Sequence, residues 1–210
     1  MKLDKFRNKL IVFEGIDKTG KTSVARAMVK YLNNTGIKAI FTFQPGDDNY
    51  GILAPLLRSL CKDKRWQIHD LTNFFLFLAD KVEHVTKIVL PALKDGKTVI
   101  CDRWWYSTFA YQLYGKQIIY KYDLDKDLQL SYFLSKISVL NLEPDMVFYF
   151  PFQIADIKEE KNVNDIYENM DTESIQRVRI AYEYLSQKYN FNRVIPGNNV
   201  EETLKKVMGV

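Results

Sequence analysis

The sequence predicts an α/β fold in three layers, a parallel sheet of about five strands covered by helices on both faces. Three observations carry this. Short, unbroken apolar runs recur at Leu10-Ile11-Val12-Phe13, Thr98-Val99-Ile100-Cys101 and Met146-Val147-Phe148-Tyr149-Phe150. Helix-like patterns separate them. The first run leads directly into Gly15-Ile16-Asp17-Lys18-Thr19-Gly20-Lys21-Thr22, which fits the phosphate-loop pattern G-x-x-x-x-G-K-[ST] at every fixed position. Strands buried on both faces read as continuous apolar stretches, whereas half-exposed strands alternate.

The elements follow in order. After the glycine loop, Ser23 to Asn34 reads as a helix with Val24, Ala25, Met28, Val29 and Leu32 apolar. Lys38 to Phe43 is a second strand. Asn49 to Lys62 is helical with Leu53, Leu56, Leu57 and Leu60 on one face. Asp70 caps a long helix reaching about Lys94, interrupted late by Pro91. The strand Thr98 to Cys101 follows, then helical Ser107 to Leu113 and Asp125 to Leu140, and the strand Met146 to Phe150. Gln153 to Glu168 is polar and irregular. Thr172 to Tyr189 is a helix, Phe191 to Ile195 a last strand and Val200 to Met208 a last helix.

A chain of 210 residues with 47% hydrophobic content supplies one core, so residues 1–210 read as one domain with a lid-like segment at 153–168 inside it. The net charge of +4 permits an anionic substrate and gives no argument for nucleic acid. Basic residues alternate with acids, as in Lys158-Glu159-Glu160-Lys161, the pattern of a solvated face. Lys2, Lys5, Arg7 and Lys9 read as a soluble tail before the first strand. Cys61 and Cys101 make no disulfide framework, which points to a reducing, cytoplasmic setting. His69 and His84 have no cysteine near either, which argues against zinc. No apolar run approaches the ~20 residues of a membrane span, and no secretory signal is visible.

Strand, glycine loop and helix are what phosphate binding needs. Backbone amides of Gly15, Ile16, Asp17, Lys18, Thr19, Gly20, Lys21, Thr22 and Ser23 turn around a phosphate chain, and the helix N-terminus adds positive potential. Lys21 supplies a mobile cation, expected to face solvent when no nucleotide is bound. Thr22 offers a hydroxyl to Mg²⁺. Asp102-Arg103 follows the strand Thr98 to Cys101 directly. Asp102 at a strand end can hold Mg²⁺ beside Thr22, and Arg103 can bridge phosphates as a fork. The cluster Trp104, Trp105, Tyr106, Ser107, Thr108 and Tyr111 mixes aromatic surface with hydroxyls, which suits a base and a sugar; Trp104 and Trp105 read as packing.

At these residues the chain resembles the thymidylate kinases. Phe13-Glu14-Gly15-Ile16-Asp17-Lys18-Thr19-Gly20-Lys21-Thr22 is similar to the family's F-E-G-x-[DE]-x-x-G-K-[ST]. Phe77-Leu78-Ala79-Asp80-Lys81 sits where the family has a phenylalanine four residues before an arginine. Asp102-Arg103-x-x-x-Ser107-Thr108-x-Ala110-Tyr111-Gln112 is close to its D-R-x-x-x-S motif, and weaker likeness continues through Pro144-Asp145 and Asp165-Ile166-Tyr167-Glu168. The resemblance implies a P-loop kinase fold with a short lid, and transfer of the γ-phosphoryl of Mg-ATP to dTMP in a homodimeric enzyme whose partners are small nucleotides. It assigns Asp17 to the 3′-hydroxyl, Phe77 to stacking on thymine, Lys81 to O4, Thr108 and Gln112 to the N3–H edge and Tyr111 to the sugar. Arg58 and Arg103 fall at the substrate phosphate, Ser107 is among the residues that bind dTMP, and Pro196 to Asn199 lie near the adenine. Lys21, Arg103 and Lys18 carry the catalytic charge.

Two departures stand out. After the second strand the family often has R-E-P-G-G or F-P-E-R; here Thr42-Phe43-Gln44-Pro45-Gly46 has neither arginine nor glutamate, so the phosphate relies on Arg58 and Arg103. The lid segment has no arginine, only Lys158 and Lys161, which moves the lid's role to Lys18. A kinase for another nucleoside monophosphate or for a deoxynucleoside stays open as an alternative. A nucleotide-dependent switch is disfavoured: a GTPase should show N-K-x-D, and no such string occurs.

Overall fold

The computed structural model describes residues 3–47, 51–118, 123–151 and 163–209. In it the apolar runs become β1 (Leu10–Gly15), β3 (Thr98–Asp102) and β4 (Met146–Phe150), joined by β2 (Ala39–Phe43) and the two-residue β5 (Asn192–Arg193). The order is β2-β3-β1-β4-β5, and every neighbouring pair is parallel. β1 is the middle strand, with Val12 opposite Cys101 on one side and Val147 on the other.

Alternation along the strands feeds two cores, which is why the runs are unbroken. Leu10, Val12, Val99 and Cys101 pack with Trp104, Trp105, Phe109, Tyr182 and Leu185. Ile11, Phe13, Ile100 and Phe148 pack on the other face with Val24, Ala25, Met28, Leu32, Val207 and Met208. That second layer is α1 (Lys21–Asn34) and α8 (Val200–Met208). The first includes α3 (Asp70–His84), α5 (Trp105–Ser107) and α7 (Thr172–Lys188), with α6 (Leu124–Ser138) outside them. Each fully buried large apolar side chain contributes about 1.5–3 kcal/mol of transfer free energy.

Several local expectations are corrected. The N-terminal segment is no tail: Phe6 is fully buried in a 3₁₀ turn over Asp4–Phe6, and Lys9 Nζ pairs with Asp145 Oδ1 at 2.7 Å. α2 spans Leu53–Lys62 and buries Ala54, Leu57 and Cys61, while Leu56 is exposed. His69, not Asp70, caps α3, its ring accepting from the Leu71 amide. The long helix passes at Val85–Val89 through a π-type turn into α4 (Leu90–Lys94). The wide turn accommodates Pro91, which has no N–H to give and would crowd a regular preceding turn. A second π-type stretch, Thr108–Gly115, extends α5.

The sheet's edges are blunt. At the β2 edge the Asn33 side chain accepts from the Ala39 amide at 2.9 Å and donates to the Ala39 carbonyl at 3.0 Å. Among the described residues no helix is long and apolar enough to cross a membrane.

Candidate active site

The loops at the carboxyl ends of β1, β2 and β3 meet above the sheet, where such folds hold ligands. β1 ends at Gly15, whose φ is +143°; a Cβ there would lie 2.4 Å from the Phe150 carbonyl oxygen, so only glycine lets the loop leave beside β4. Gly20 precedes α1 and provides no side-chain cap, leaving the first-turn amides available to an anion. Thr19 ties the loop by donating to the Ile16 carbonyl at 3.0 Å.

Lys21 is not solvent-facing. It is 4% exposed, with Nζ 3.6 Å from Asp17 Oδ1 and 3.8 Å from Asp102 Oδ1. Two carboxylates draw the ammonium down into the cleft. Thr22 Oγ1 donates to Asp102 Oδ2, and the buried Asp102 Oδ1 has no hydrogen-bond partner. A hydroxyl and a carboxylate oxygen side by side, one of them short of a partner, are a donor set that fits Mg²⁺, which takes few protein oxygens and completes its shell with water and phosphate.

Arg103 has φ +79°, left-handed backbone at a non-glycine residue, which turns its side chain back over the loop. Its guanidinium donates to Asp17 Oδ1 at 2.6 Å, to the Gly15 carbonyl at 3.0 Å, and to Ser107 Oγ and Tyr182 Oη at 3.1 Å each. It also lies 5.1 Å from the Tyr111 ring centroid. Burial opposes ionisation of Asp17, but Arg103 and then Lys21 outweigh it and hold its carboxyl well below the usual range. Beneath, the fully buried Glu14 accepts from the Trp104 amide at 2.7 Å, Ser107 Oγ at 2.6 Å and Tyr182 Oη at 2.9 Å. Burial pushes its pKa up, against the pull of Arg103. Glu14 thus fixes the start of the helix that carries Ser107, Thr108, Tyr111 and Gln112. Trp104 and Trp105 are packed, at 0% and 1% exposure, and Trp104 forms part of the cleft floor.

All nine residues expected at the acceptor nucleotide — Asp17, Arg58, Phe77, Lys81, Arg103, Ser107, Thr108, Tyr111 and Gln112 — line one cleft of about 290 Å³, together with Lys21, Thr22 and Asp102. Phe77 meets Tyr167 edge-on at 5.7 Å, and Tyr167 meets Tyr111 likewise at 5.7 Å. Lys81 is 1% exposed and donates to Gln44 Oε1 at 3.2 Å; burial lowers its pKa. Thr108 Oγ1 and Gln112 Oε1 are buried without a partner. Arg58 donates to the Pro45 carbonyl at 2.8 Å and stacks on Phe43. Gly46 permits that approach: a Cβ there would sit 2.3 Å from Arg58 Cβ.

Sequence reasoning missed Gln44, Lys62 and Tyr167 as lining residues. Tyr167 lay in a quoted likeness without a role, and Gln44 was noted only as a departure. Lys18 stands outside this cleft lining, its Nζ 3.5 Å from Glu168 Oε2. Of the lid-like segment, Lys158 and Lys161 lie outside the described residues. The part that follows is tied down: Asp165 pairs with Lys62 at 2.6 Å, and the Ile166 amide donates to the Lys62 carbonyl at 2.9 Å.

Comparison with known proteins gives a consistent result. The family described as thymidylate kinase matches residues 13–207. The chain belongs to the thymidylate kinase family. It is 33% identical over 207 residues to the thymidylate kinase of Neorickettsia sennetsu, covering 95% of this chain and 94% of that one. With the thymidylate kinase of Brachyspira hyodysenteriae it shares 36% identity over 168 residues, 78% of this chain and 74% of that one. The crystal structure of thymidylate kinase from Ehrlichia chaffeensis superposes with a TM-score of 0.74 at 26% identity, covering 96% of this chain and 97% of that one.

Proposed function

We propose that the cleft above β1, β2 and β3 is the acceptor site at which this member of the thymidylate kinase family works. The chain is an ATP-dependent nucleoside monophosphate kinase, a phosphotransferase that converts dTMP to dTDP. The observation that carries the base assignment is polar. Lys81 presents a donor, while Gln112 Oε1 and Thr108 Oγ1 are buried and unpartnered in the same wall. Thymine offers the complement, an acceptor at O4 beside a donor at N3. Phe77 gives the ring an aromatic face, and Tyr111 supports the sugar beneath Arg103.

The residues around the reacting groups position and neutralise. Lys21 and the loop amides hold the donor phosphates. Arg103 and Arg58 hold the acceptor phosphate, and Asp17 both orients Arg103 and accepts from the 3′-hydroxyl. Thr22 and Asp102 would hold Mg²⁺, which when bound adds positive charge at the phosphates. Lys18 supplies charge to the transferred group, and the lid-like segment, most of which lies outside the described residues, has the role of excluding water. Little covalent chemistry is asked of the protein; alignment and charge compensation are its contribution.

Residues 1–210 form one kinase domain in this reading. The enzyme works in the cytoplasm, consistent with two free buried thiols. It is a homodimer through adjoining α3 and α6, where Phe75, Phe133 and Ile137 are 52%, 64% and 59% exposed. A coupled ADP-release assay across nucleoside monophosphates and nucleosides tests the function; dTMP should lead the panel, and a preference for a free nucleoside would overturn the reading. Light scattering of the eluted protein tests the dimer.

A further inference from the structure

Beneath the base end of the cleft, β2 with the loop after it and the last turns of α3 are joined by five buried side chains. Lys81 Nζ donates to Gln44 Oε1 at 3.2 Å. Gln44 Nε2 lies 2.9 Å from His84 Nδ1. His84 Nε2 lies 2.5 Å from Thr42 Oγ1, whose hydroxyl donates to Asp47 Oδ2 at 2.5 Å. None of the five exceeds 4% exposure.

The two ends fix the direction of every bond. An ammonium only donates and a carboxylate only accepts. Gln44 must therefore turn its carbonyl to Lys81, which turns its NH₂ group to His84. Nδ1 must then accept, so the ring proton sits on Nε2. Nε2–H donates to Thr42, and Thr42 donates to Asp47. Reversing any member sets two donors or two acceptors face to face among side chains that are at most 4% exposed. Burial, opposed by Asp47 and aided by Lys81, pushes His84 down to about 3, so the ring is neutral, as this arrangement requires.

The chemistry at Lys81 gives the chain of bonds a purpose. Burial presses Lys81 toward the neutral amine, and a neutral amine can accept as well as donate. Such a group would tolerate a base bearing an amino group at that edge. Asp80 and Glu14 favour the ammonium at a distance, and the Gln44 carbonyl favours it by direct contact.

We propose that Gln44 is a positioning residue, locked in one orientation by neutral His84, that keeps Lys81 a donor-only group and thereby restricts the cleft to bases with a carbonyl oxygen there. This rests on the reading of the cleft as the thymidine nucleotide site. Loss of the Gln44 amide leaves Lys81 without its acceptor, and discrimination between a keto and an amino base falls. The catalytic groups at Lys21 and Arg103 are untouched.

The test uses the full chain with dTMP and dCMP as competing substrates, and long-range ¹⁵N NMR to read the His84 tautomer. The wild type should show His84 protonated on Nε2. Gln44→Met keeps length and removes both amide groups. It should narrow the preference for dTMP over dCMP by roughly ten- to a hundredfold, the worth of a hydrogen bond to a charged group, through KM for dTMP with kcat little changed. Gln44→Glu still accepts from Lys81 but offers His84 no donor. It should retain the preference while His84 takes up a proton on Nδ1 and titrates near neutral pH. If Gln44→Met does not fold, Gln44→Glu and the wild-type tautomer decide.

Wild-type His84 protonated on Nδ1 would overturn the proposal. So would a folded Gln44→Met chain with full preference while Lys81→Ala loses it. A preference that survives Lys81→Ala would instead sink the reading of the base end, and Gln44's role with it. The wild-type tautomer would still report separately whether the bonds run in the stated direction.

Discussion

Replacing Lys21 by methionine keeps the aliphatic stem and removes the ammonium. That ammonium stands 3.6 Å from Asp17 Oδ1 and 3.8 Å from Asp102 Oδ1, at 4% exposure. At an effective dielectric near 20 each attraction is on the order of 4 kcal/mol before the cost of burying the charge. That cost offsets much of the gain, and Asp17, with 38% of its side chain exposed, is further screened by water. Both carboxylates also keep second partners, Arg103 and Thr22. The expected net loss of stability is therefore about 1–2 kcal/mol, read as a fall of roughly 2–8 °C in the melting temperature for a chain of this size. Turnover has a different scale. Losing a preorganised charge at the transferred phosphoryl should lower kcat by roughly a hundred- to a thousandfold. Thermal melts and a coupled ADP-release assay at saturating ATP read the two effects. A folded Lys21→Met chain with kcat within about tenfold of wild type would refute the phosphate role, since that contact should be worth more. An unchanged melting temperature would refute the electrostatic clasp between Asp17 and Asp102.

Lys18→Ala should lower turnover roughly a hundredfold with little change in ATP affinity, because its contact forms mainly in the transition state. Steady-state kinetics with Lys158→Ala and Lys161→Ala as comparisons would sink this if the lid variants were the crippled ones. Tyr111→Ala should narrow the rate gap between dTMP and its ribo analogue; an unchanged ratio makes Tyr111 simple packing. The wild type should favour dTMP over dCMP by an amount on the order of 3 kcal/mol for two mismatched polar positions, and comparable kcat/KM on both would defeat the base contacts. His84 sets a pH dependence of stability. Its pKa falls from 6.5 to about 3 on folding, so between those values the unfolded chain holds the extra proton. Stability from this group should then drop by roughly 1.4 kcal/mol per pH unit below 6.5, level off below 3, and be constant above 6.5. Urea melts of wild type and His84→Asn across pH 4 to 8 should show the slope lost in the variant.

The sequence was most legible where chemistry and backbone are local to each other. Strand, glycine loop and helix announced the phosphate site, and unbroken apolar runs announced strands buried on both faces. Leucine counting put Leu56 on the packed face of α2, whereas Ala54, Leu57 and Cys61 are the buried residues there and Leu56 looks outward. The two π-type turns were invisible because apolar residues continue across them without a change of composition. The charge of Lys21 argued for exposure, and only the folded placement of Asp102, far along the chain, shows why it is buried. The Gln44–His84 contact joins residues 40 positions apart, so no local pattern could report it. By contrast, eight of the nine residues expected at the acceptor came from three separated motifs and Arg58 from α2, and the topology brings all nine to one cleft.

The blunt edges of the sheet bear on how copies of this chain meet one another. An open strand edge invites a second chain to extend the ladder, and an unbroken row of free amides and carbonyls is the template for that growth. At one margin Asn33 impersonates a neighbouring strand for Ala39 by satisfying both of its backbone groups. At the other, the ladder stops after Asn192 and Arg193, and the Arg193 guanidinium is anchored to Glu183 at 2.5 Å. Each margin thereby presents a foreign strand with less free backbone than an open edge of the same sheet would. A strand added at either margin would find part of its template already taken, which disfavours fibre-like stacking of copies.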